Sequence, residues 1–186
     1  MRKLKLTLAG ISTSFVLTAL MMCFSTSAFA AGIGADVQAG TTVTATASDA
    51  NISPFTLNGH TRNATYDLPI TVVDSRGDAS GWSLTMTSTT FATSDDSHEL
   101  AADASTLSTV ALAAPDGTLP VASAESVVTA IPAGTSAPTA VKIFSADAGS
   151  GMGTTTVTPT VHIAIPGSAY AGSYTSTVTI GTNLAP

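Results

Sequence analysis

A strict alternation of apolar and polar residues beginning at Trp82 constrains the fold of this chain more than any other feature. Trp82, Leu84 and Met86 fall on one face, and serine and threonine fall on the other. A period of two indicates a half-buried β-strand. Residues 66–73 alternate in the same way, and the segment 74–81 between them is rich in glycine, aspartate and serine, as turns are. The sequence therefore predicts a hairpin of strands 66–73 and 82–88 with both apolar faces toward one core.

A second pair of alternating runs lies near the C-terminus. Residues 156–165 and 174–180 place apolar side chains on one face and threonines on the other, which predicts a second hairpin. Pro159 has no N–H to donate, so its strand is expected to lie at an edge or to carry a bulge. Shorter runs at 41–47, 52–57, 127–131 and 140–144 predict further strands. We therefore expect an all-β fold, a single antiparallel β-sandwich of immunoglobulin-like type.

The N-terminus has the pattern of a secretory signal peptide. Arg2, Lys3 and Lys5 precede an apolar run that extends to about residue 24, and Ala28-Phe29-Ala30 matches a cleavage site. We expect a signal peptide at 1–30 and one secreted domain at 31–186; a retained membrane anchor is the alternative. Cleavage would remove the chain's only cysteine, so the domain must be stabilised by its core and its sheet hydrogen bonds.

The charge balance limits the possible partners. After residue 30 the chain has three basic residues, Arg62, Arg76 and Lys142, against 12 acidic ones. Nucleic-acid binding needs clustered lysine and arginine, so we exclude it, and nothing favours an anionic membrane or teichoic acid. A ligand is expected to be neutral, or to be held by hydrogen bonds and stacking.

The sequence lacks a recognisable catalytic constellation. Its three histidines are scattered without metal-ligand spacing, and no nucleophile elbow or phosphate loop is present. We therefore predict no enzymatic activity, no cofactor and no metal site. The acidic loop from Asp95 to Asp103 could gather oxygens around Ca²⁺, but we interpret it as a solvated loop. Arg76-Gly77-Asp78 spells a cell-adhesion tripeptide, yet a turn needs glycine and aspartate there anyway.

Two motifs lie on the predicted hairpins. The first is Gly81-Trp82-Ser83-Leu84, preceded by Val73-Asp74-Ser-Arg76-Gly77, and the second is Tyr174-Thr-Ser-Thr-Val178-Thr179. In this order and behind a signal peptide, the chain resembles the WxL-domain family of Gram-positive cell-surface proteins. One departure is that Ile180-Gly181 follows the distal motif, where the family often has a second Trp-x-Leu.

The resemblance implies non-covalent attachment to the peptidoglycan of the cell wall, with other WxL-type surface proteins as possible partners. Carried over by position, the binding residues are Trp82, Leu84, Tyr174 and Val178. Trp82 itself has two open roles, as a core side chain or as an exposed platform that stacks on sugar rings. The alternative function is a structural subunit of a surface layer or fibre that assembles through strand edges. Without a sortase motif at the C-terminus, the folded domain is expected to hold the protein on the cell.

Overall fold

A computed structural model describes residues 37–117, 119–120, 129–136 and 138–186. The predicted signal peptide and its cleavage site lie outside the described residues. Within those ranges the chain forms eleven β-strands and no helix, which confirms the all-β prediction. A membrane-spanning helix is likewise absent from the described part of the chain. The strands are β1 Val43–Ala47, β2 Arg62–Asp67, β3 Ile70–Asp74, β4 Trp82–Ser88, β5 Ala92–Thr93, β6 Ser105–Gly117, β7 Thr129–Ala130, β8 Val141–Ala146, β9 Gly153–Ile165, β10 Tyr174–Thr175 and β11 Val178–Asn183.

The strands form one large sheet and two smaller ones. The large sheet has the order β1-β3-β9-β6-β7, and β2 also pairs with β9. The second sheet is β11-β4-β8, and the third is the short pair β10-β5. All the named strand pairs are antiparallel. The first two sheets contribute side chains to one hydrophobic core, in which Trp82, Leu84 and Met86 of β4 join Ile70 of β3 and Val161 of β9.

Both predicted hairpins are wrong, and two of their four strands are interrupted: 66–73 is divided between β2 and β3, and 174–180 between β10 and β11. β3 pairs with β1 and β9, whereas β4 pairs with β8 and β11, so segment 75–81 connects two different sheets. In the same way, β9 belongs to the large sheet and β11 pairs with β4. Alternation specifies which side chains face the core, and strands of both sheets face the same core. The pattern therefore could not identify the hydrogen-bonded neighbour of each strand.

The prediction that β4 is half buried is also wrong, because most of its polar face is covered. Ser83 and Thr87 are only 3% and 5% exposed. The Ser83 hydroxyl donates to the Ala185 carbonyl at 2.9 Å, and the Thr87 hydroxyl donates to the Pro132 carbonyl at 3.1 Å. The C-terminal tail and the residues Pro132 and Pro138 thus lie over the outer face of β4, and hydroxyl groups satisfy their carbonyls.

Pro159 does not lie on an edge strand. β9 is central in the large sheet, with β6 on one side and β2 followed by β3 on the other. Pro159 lies where β2 gives way to β3, and its carbonyl accepts a hydrogen bond from the Leu68 N–H at 3.0 Å. Pro159 therefore lies between the part of β9 that pairs with β2 and the part that pairs with β3, where neither strand requires an N–H from it. A register shift in β6 between Leu107 and Thr109 lies close by on the other side.

Candidate functional site

Trp82 lies in the core. Its side chain is fully buried, and its ring lies 5.5 Å from that of Phe144, centroid to centroid, at a tilt of 48°. The indole N–H donates to the Gly151 carbonyl at 2.9 Å. Gly151 has a φ of +74°, and a Cβ there would lie 2.8 Å from the indole nitrogen. Only glycine therefore fits beside the ring, and no surface of Trp82 remains for a ligand.

A bulge in β8 brings Phe144 against this ring. Leu84 pairs with Phe144 and Thr85 pairs with Lys142, which leaves Ile143 as the extra residue on β8. Such a bulge changes the direction in which the following side chains point. Ile143 and Phe144 are consequently both buried, although they are adjacent on the strand.

The two sequence motifs meet in one sheet. β4 and β11 are antiparallel neighbours, with Val178 opposite Ser88 and Thr182 opposite Leu84. Leu84 is fully buried, while Val178 is half-buried and packs against the core. Tyr174 lies just before β11, on β10, where it pairs with Thr93 of β5. The Trp-x-Leu strand therefore determines where the distal motif lies.

An ion pair, which the sequence analysis did not assign, fixes the connection into β4. The Arg76 guanidinium donates to both carboxylate oxygens of Asp74, at 3.0 and 2.9 Å, and the Asp74 side chain has no exposed surface. The same guanidinium donates to the carbonyls of Gly81, at 2.6 Å, and Leu184, at 3.0 Å. Its hydrogen bonds to Asp74 raise the pKa of Arg76 above its usual value. One side chain thus joins the end of β3, the start of β4 and the C-terminal tail.

The sequence contains only a weak signal for this ion pair. Arg76 follows Asp74 by two positions, directly after the extended residues of β3. Side chains at i and i+2 share a face of a strand, so Asp74 and Arg76 can meet. Burial of Arg76 also removes the cation of the Arg76-Gly77-Asp78 tripeptide from the surface, which agrees with our interpretation of this segment as a turn.

A cleft of about 670 Å³ opens at the other end of β4, beyond Ser88. Segment 52–57, predicted to be a strand, has no strand structure and instead lines this cleft together with the 169–174 loop. The buried Leu100 and Ile163 form its bottom, so the cleft reaches the core. Tyr174 lines the cleft, and it alone of the four predicted binding residues does so.

Tyr170 is the most exposed aromatic side chain of the cleft, at 65%. Its ring stacks on His98 with 3.8 Å between centroids and 8° between planes. The Tyr174 hydroxyl donates to the Tyr170 carbonyl at 3.0 Å and so ties the 169–174 loop to β10. A second exposed aromatic side chain is Phe55, at 38%. Its ring centroid lies 6.0 Å from the guanidinium carbon of Arg62. Tyr170 and Phe55 were not predicted as site residues, because Tyr170 lies in the connection between two predicted strands and Phe55 lies in a run interpreted as a strand.

The acidic loop makes its own hydrogen bonds. The hydroxyls of Thr93 and Ser97 donate to the Asp95 carboxylate at 2.6 and 2.9 Å, and they lower the pKa of Asp95 to about 2. Among the described residues no three acidic, histidine or cysteine side chains are grouped closely enough to hold a metal ion. The geometry of this loop is therefore that of a capped turn.

Comparison with protein families identifies the chain. The family model described as "WxL domain surface cell wall-binding" matches residues 34–179. Neither the search of curated proteins nor that of solved structures finds a match. The matched family is a surface wall-binding family rather than a catalytic one, and the match confirms the resemblance drawn from the two motifs. Because the match covers most of its length, the chain belongs to the WxL domain family of cell wall-binding surface proteins.

Proposed function

We propose that this protein is secreted and attaches non-covalently to the peptidoglycan of the bacterial wall through its folded domain, without catalysing a reaction. The observation that carries the proposal is the pairing of β4 with β11, which joins the Trp-x-Leu motif to the Val178-Thr179 end of the distal motif in one sheet. Trp82 and Leu84 act through packing, since neither has exposed surface. They hold β11 and the preceding β10 in place, and with them Val178 and the Tyr174 side chain at the cleft.

The charge of the chain favours peptidoglycan over the anionic polymers of the wall. With 12 acidic residues and few basic ones, the domain would be repelled by the phosphates of teichoic acid. Attachment through hydrogen bonds and stacking depends little on ionic strength, whereas attraction between charges is screened within about 8–10 Å at physiological salt. Binding is therefore expected to survive high salt and the removal of teichoic acid.

A sedimentation assay tests the proposal. The purified protein is mixed with whole walls and with peptidoglycan stripped of protein and teichoic acid, at low and at high salt. We expect it to pellet equally with both. Pelleting with whole walls alone would indicate a protein partner, for which other WxL-type surface proteins are the first candidates, and would contradict direct binding to peptidoglycan.

Two further measurements complete the test. Sedimentation velocity without walls separates a monomeric binding protein from the alternative, a structural subunit, which would form oligomers on its own. Mass spectrometry of the secreted protein is expected to give Ala31 as the first residue, and retention of residues 1–30 would contradict the secretion proposal.

A further inference from the structure

We propose that the cleft binds an uncharged chain of N-acetylated amino sugars, with the rings of Tyr170 and Phe55 as stacking platforms. The inference rests on the proposed attachment to peptidoglycan and assigns its ligand class and its site. The cleft volume of about 670 Å³ lies within the range of about 300–1,000 Å³ usual for sites that enclose a small ligand. A short stretch of a glycan chain fits such a space, while a longer chain can continue out of it.

The orientation of Tyr170 supports a stacking role. Tyr170 lines the cleft and stacks on His98, which is not among the lining residues. One face is covered by the stacked imidazole, and the high exposure of the side chain leaves the other face open. The hydrogen bond from Tyr174 to the Tyr170 carbonyl fixes the backbone beneath the ring. A platform held in place before binding loses little entropy when a ligand stacks on it.

The chemistry of the lining selects the ligand. None of the residues that line the cleft carries a charge, although the domain as a whole is strongly acidic. A phosphate polymer or a peptide stem with free carboxylates would lose its hydration there, and Arg62, whose guanidinium carbon lies 6.0 Å from the Phe55 ring centroid, is not among the lining residues. Hydroxyls of Ser53, Thr56 and Ser173 lie among the lining residues and can bond sugar hydroxyls.

The apolar bottom accounts for the acetyl groups. Leu100 and Ile163 present hydrocarbon at the base of the cleft, where an acetamido methyl can be buried. An unmodified glucose chain has no such methyl and would leave this surface unfilled. A wholly apolar peptide would fill the bottom but would leave the hydroxyls of the lining without partners. The combination of aromatic rings, hydroxyls and a small apolar base therefore favours the acetylated glycan.

The experiment uses chitotetraose, an uncharged oligomer of N-acetylglucosamine, as the soluble probe and cellotetraose as its counterpart without acetyl groups. Amide signals of the protein are followed by NMR during titration with each sugar. We expect chitotetraose to shift signals of residues 52–57 and 169–174, and cellotetraose to bind more weakly. Equal binding of the two sugars would overturn the assignment of acetylated sugars.

The matched variants are Tyr170→Ala and Phe55→Ala against Tyr170→Phe and Val73→Ala. Val73 lies on β3 and is 39% exposed, almost the same as Phe55, but it does not line the cleft. We expect each loss of a cleft ring to weaken chitotetraose binding about tenfold, as for an aromatic residue that contributes strongly to an interface. Val73→Ala should bind like the unaltered protein, and Tyr170→Phe, which keeps the aromatic ring, should bind more tightly than Tyr170→Ala. Thermal unfolding checks that all four proteins remain folded.

Sedimentation with stripped peptidoglycan separates the two proposals. If the unaltered protein pellets but the cleft variants pellet equally well, or chitotetraose shifts no cleft signal, the glycan assignment is overturned and peptidoglycan attachment stands. If the unaltered protein does not pellet, the proposed function itself fails. Cleft variants that lose binding only to whole, protein-bearing walls would make the occupant a protein and would also overturn the glycan assignment.

Discussion

The replacement Trp82→Ala distinguishes most directly between a structural and a ligand-contacting role for the Trp-x-Leu motif. The tryptophan ring is fully buried against Phe144, so its loss leaves a large cavity in the core. Truncations of this kind cost about 3–5 kcal/mol. The Gly151 carbonyl would also lose its indole partner, for about another 1 kcal/mol. The total is a large part of the roughly 5–15 kcal/mol that stabilises a domain.

The free energy of unfolding is measured by denaturant titration and the melting temperature by circular dichroism. For a domain of this length, a loss of about 4–6 kcal/mol corresponds to a fall in Tm of roughly 8–24 °C. Trp82→Phe keeps an apolar ring and loses only the indole N–H and part of the volume, so it should fall between Trp82→Ala and the unaltered protein. Tyr170→Ala serves as the control, since it removes an exposed aromatic side chain and should leave the Tm nearly unchanged.

Gly151 provides an independent check on the same packing. Gly151→Ala would force a Cβ against the indole nitrogen at a positive φ, and we expect it to destabilise the domain. In a Trp82→Ala background the clash with the indole should disappear while the close approach to the Ala146 Cβ, at 2.9 Å, remains, so the penalty should shrink, which a double-mutant cycle detects. A Trp82→Ala protein that melts within a degree or two of the unaltered protein would refute the buried role. If it remains folded with the β4–β11 ladder intact and fails to bind walls, a purely structural role would be refuted instead.

Three further predictions concern single groups in the structure. Arg76→Ala leaves the buried Asp74 carboxylate without its cation and should cost about 3–5 kcal/mol in denaturant titration, part of which Asp74→Ala in the same protein should recover. Burial raises the pKa of Tyr66 from 10.0 to about 12, so the folded state holds the phenol proton more tightly than the unfolded state. The neutral phenol therefore contributes fully to the free energy of unfolding below pH 10, and between pH 10 and pH 12 this free energy should fall by up to about 3 kcal/mol. Tyr66→Phe should abolish that fall. Thr93→Val removes the first hydroxyl that donates to Asp95 and should raise its pKa from about 2 toward 3.8, which carbon-detected NMR titration measures.

Alternation in the sequence was enough to predict most of the strands and their inward faces. Trp82, Leu84 and Met86 do share a buried face, as do Val157 and Val161 on β9. Such patterns are reliable because an apolar side chain on the wrong face of a strand exposes its whole surface to water. The strand prediction for segment 52–57 was wrong. Its β-branched and aromatic residues line a cleft, and an apolar run there resembles a short strand.

Strand pairing could not be predicted, because it depends on contacts between distant segments. Ser88 pairs with Val178 and Ile70 pairs with Val157. A two-sheet core accepts an inward face from either sheet, and turn residues such as those at 75–81 also suit a connection between sheets. The ion pair of Arg76 with Asp74 shows how this connection is specified, through a buried salt bridge that no turn propensity describes.

The candidate site was predicted only in part, since motif residues and cleft residues differ in what determines them. Trp82 and Leu84 are recognisable because a core position in a motif strand tolerates few side chains. Tyr170 stacks on His98, which is separated from it by 72 positions of chain that no local pattern connects. Tyr174 is the exception, because it lies next to the distal motif strand and also lines the cleft.

The separation between the motif and the cleft indicates how the two cooperate. β4 has seven residues, so Trp82 lies about 20 Å along the strand from Ser88, near which the cleft opens. Direct contact between the indole ring and a ligand in the cleft is therefore impossible, quite apart from its burial. The influence of Trp82 must pass along β4 to the ladder with β11, whose first pair is Ser88 with Val178, and from there to Tyr174. Since a packed sheet transmits strain but deforms little, changes near Trp82 should alter wall binding only when they loosen that ladder. In the proposed binding mode, the motif is the framework of the binding surface and the rings at the cleft are its contact points.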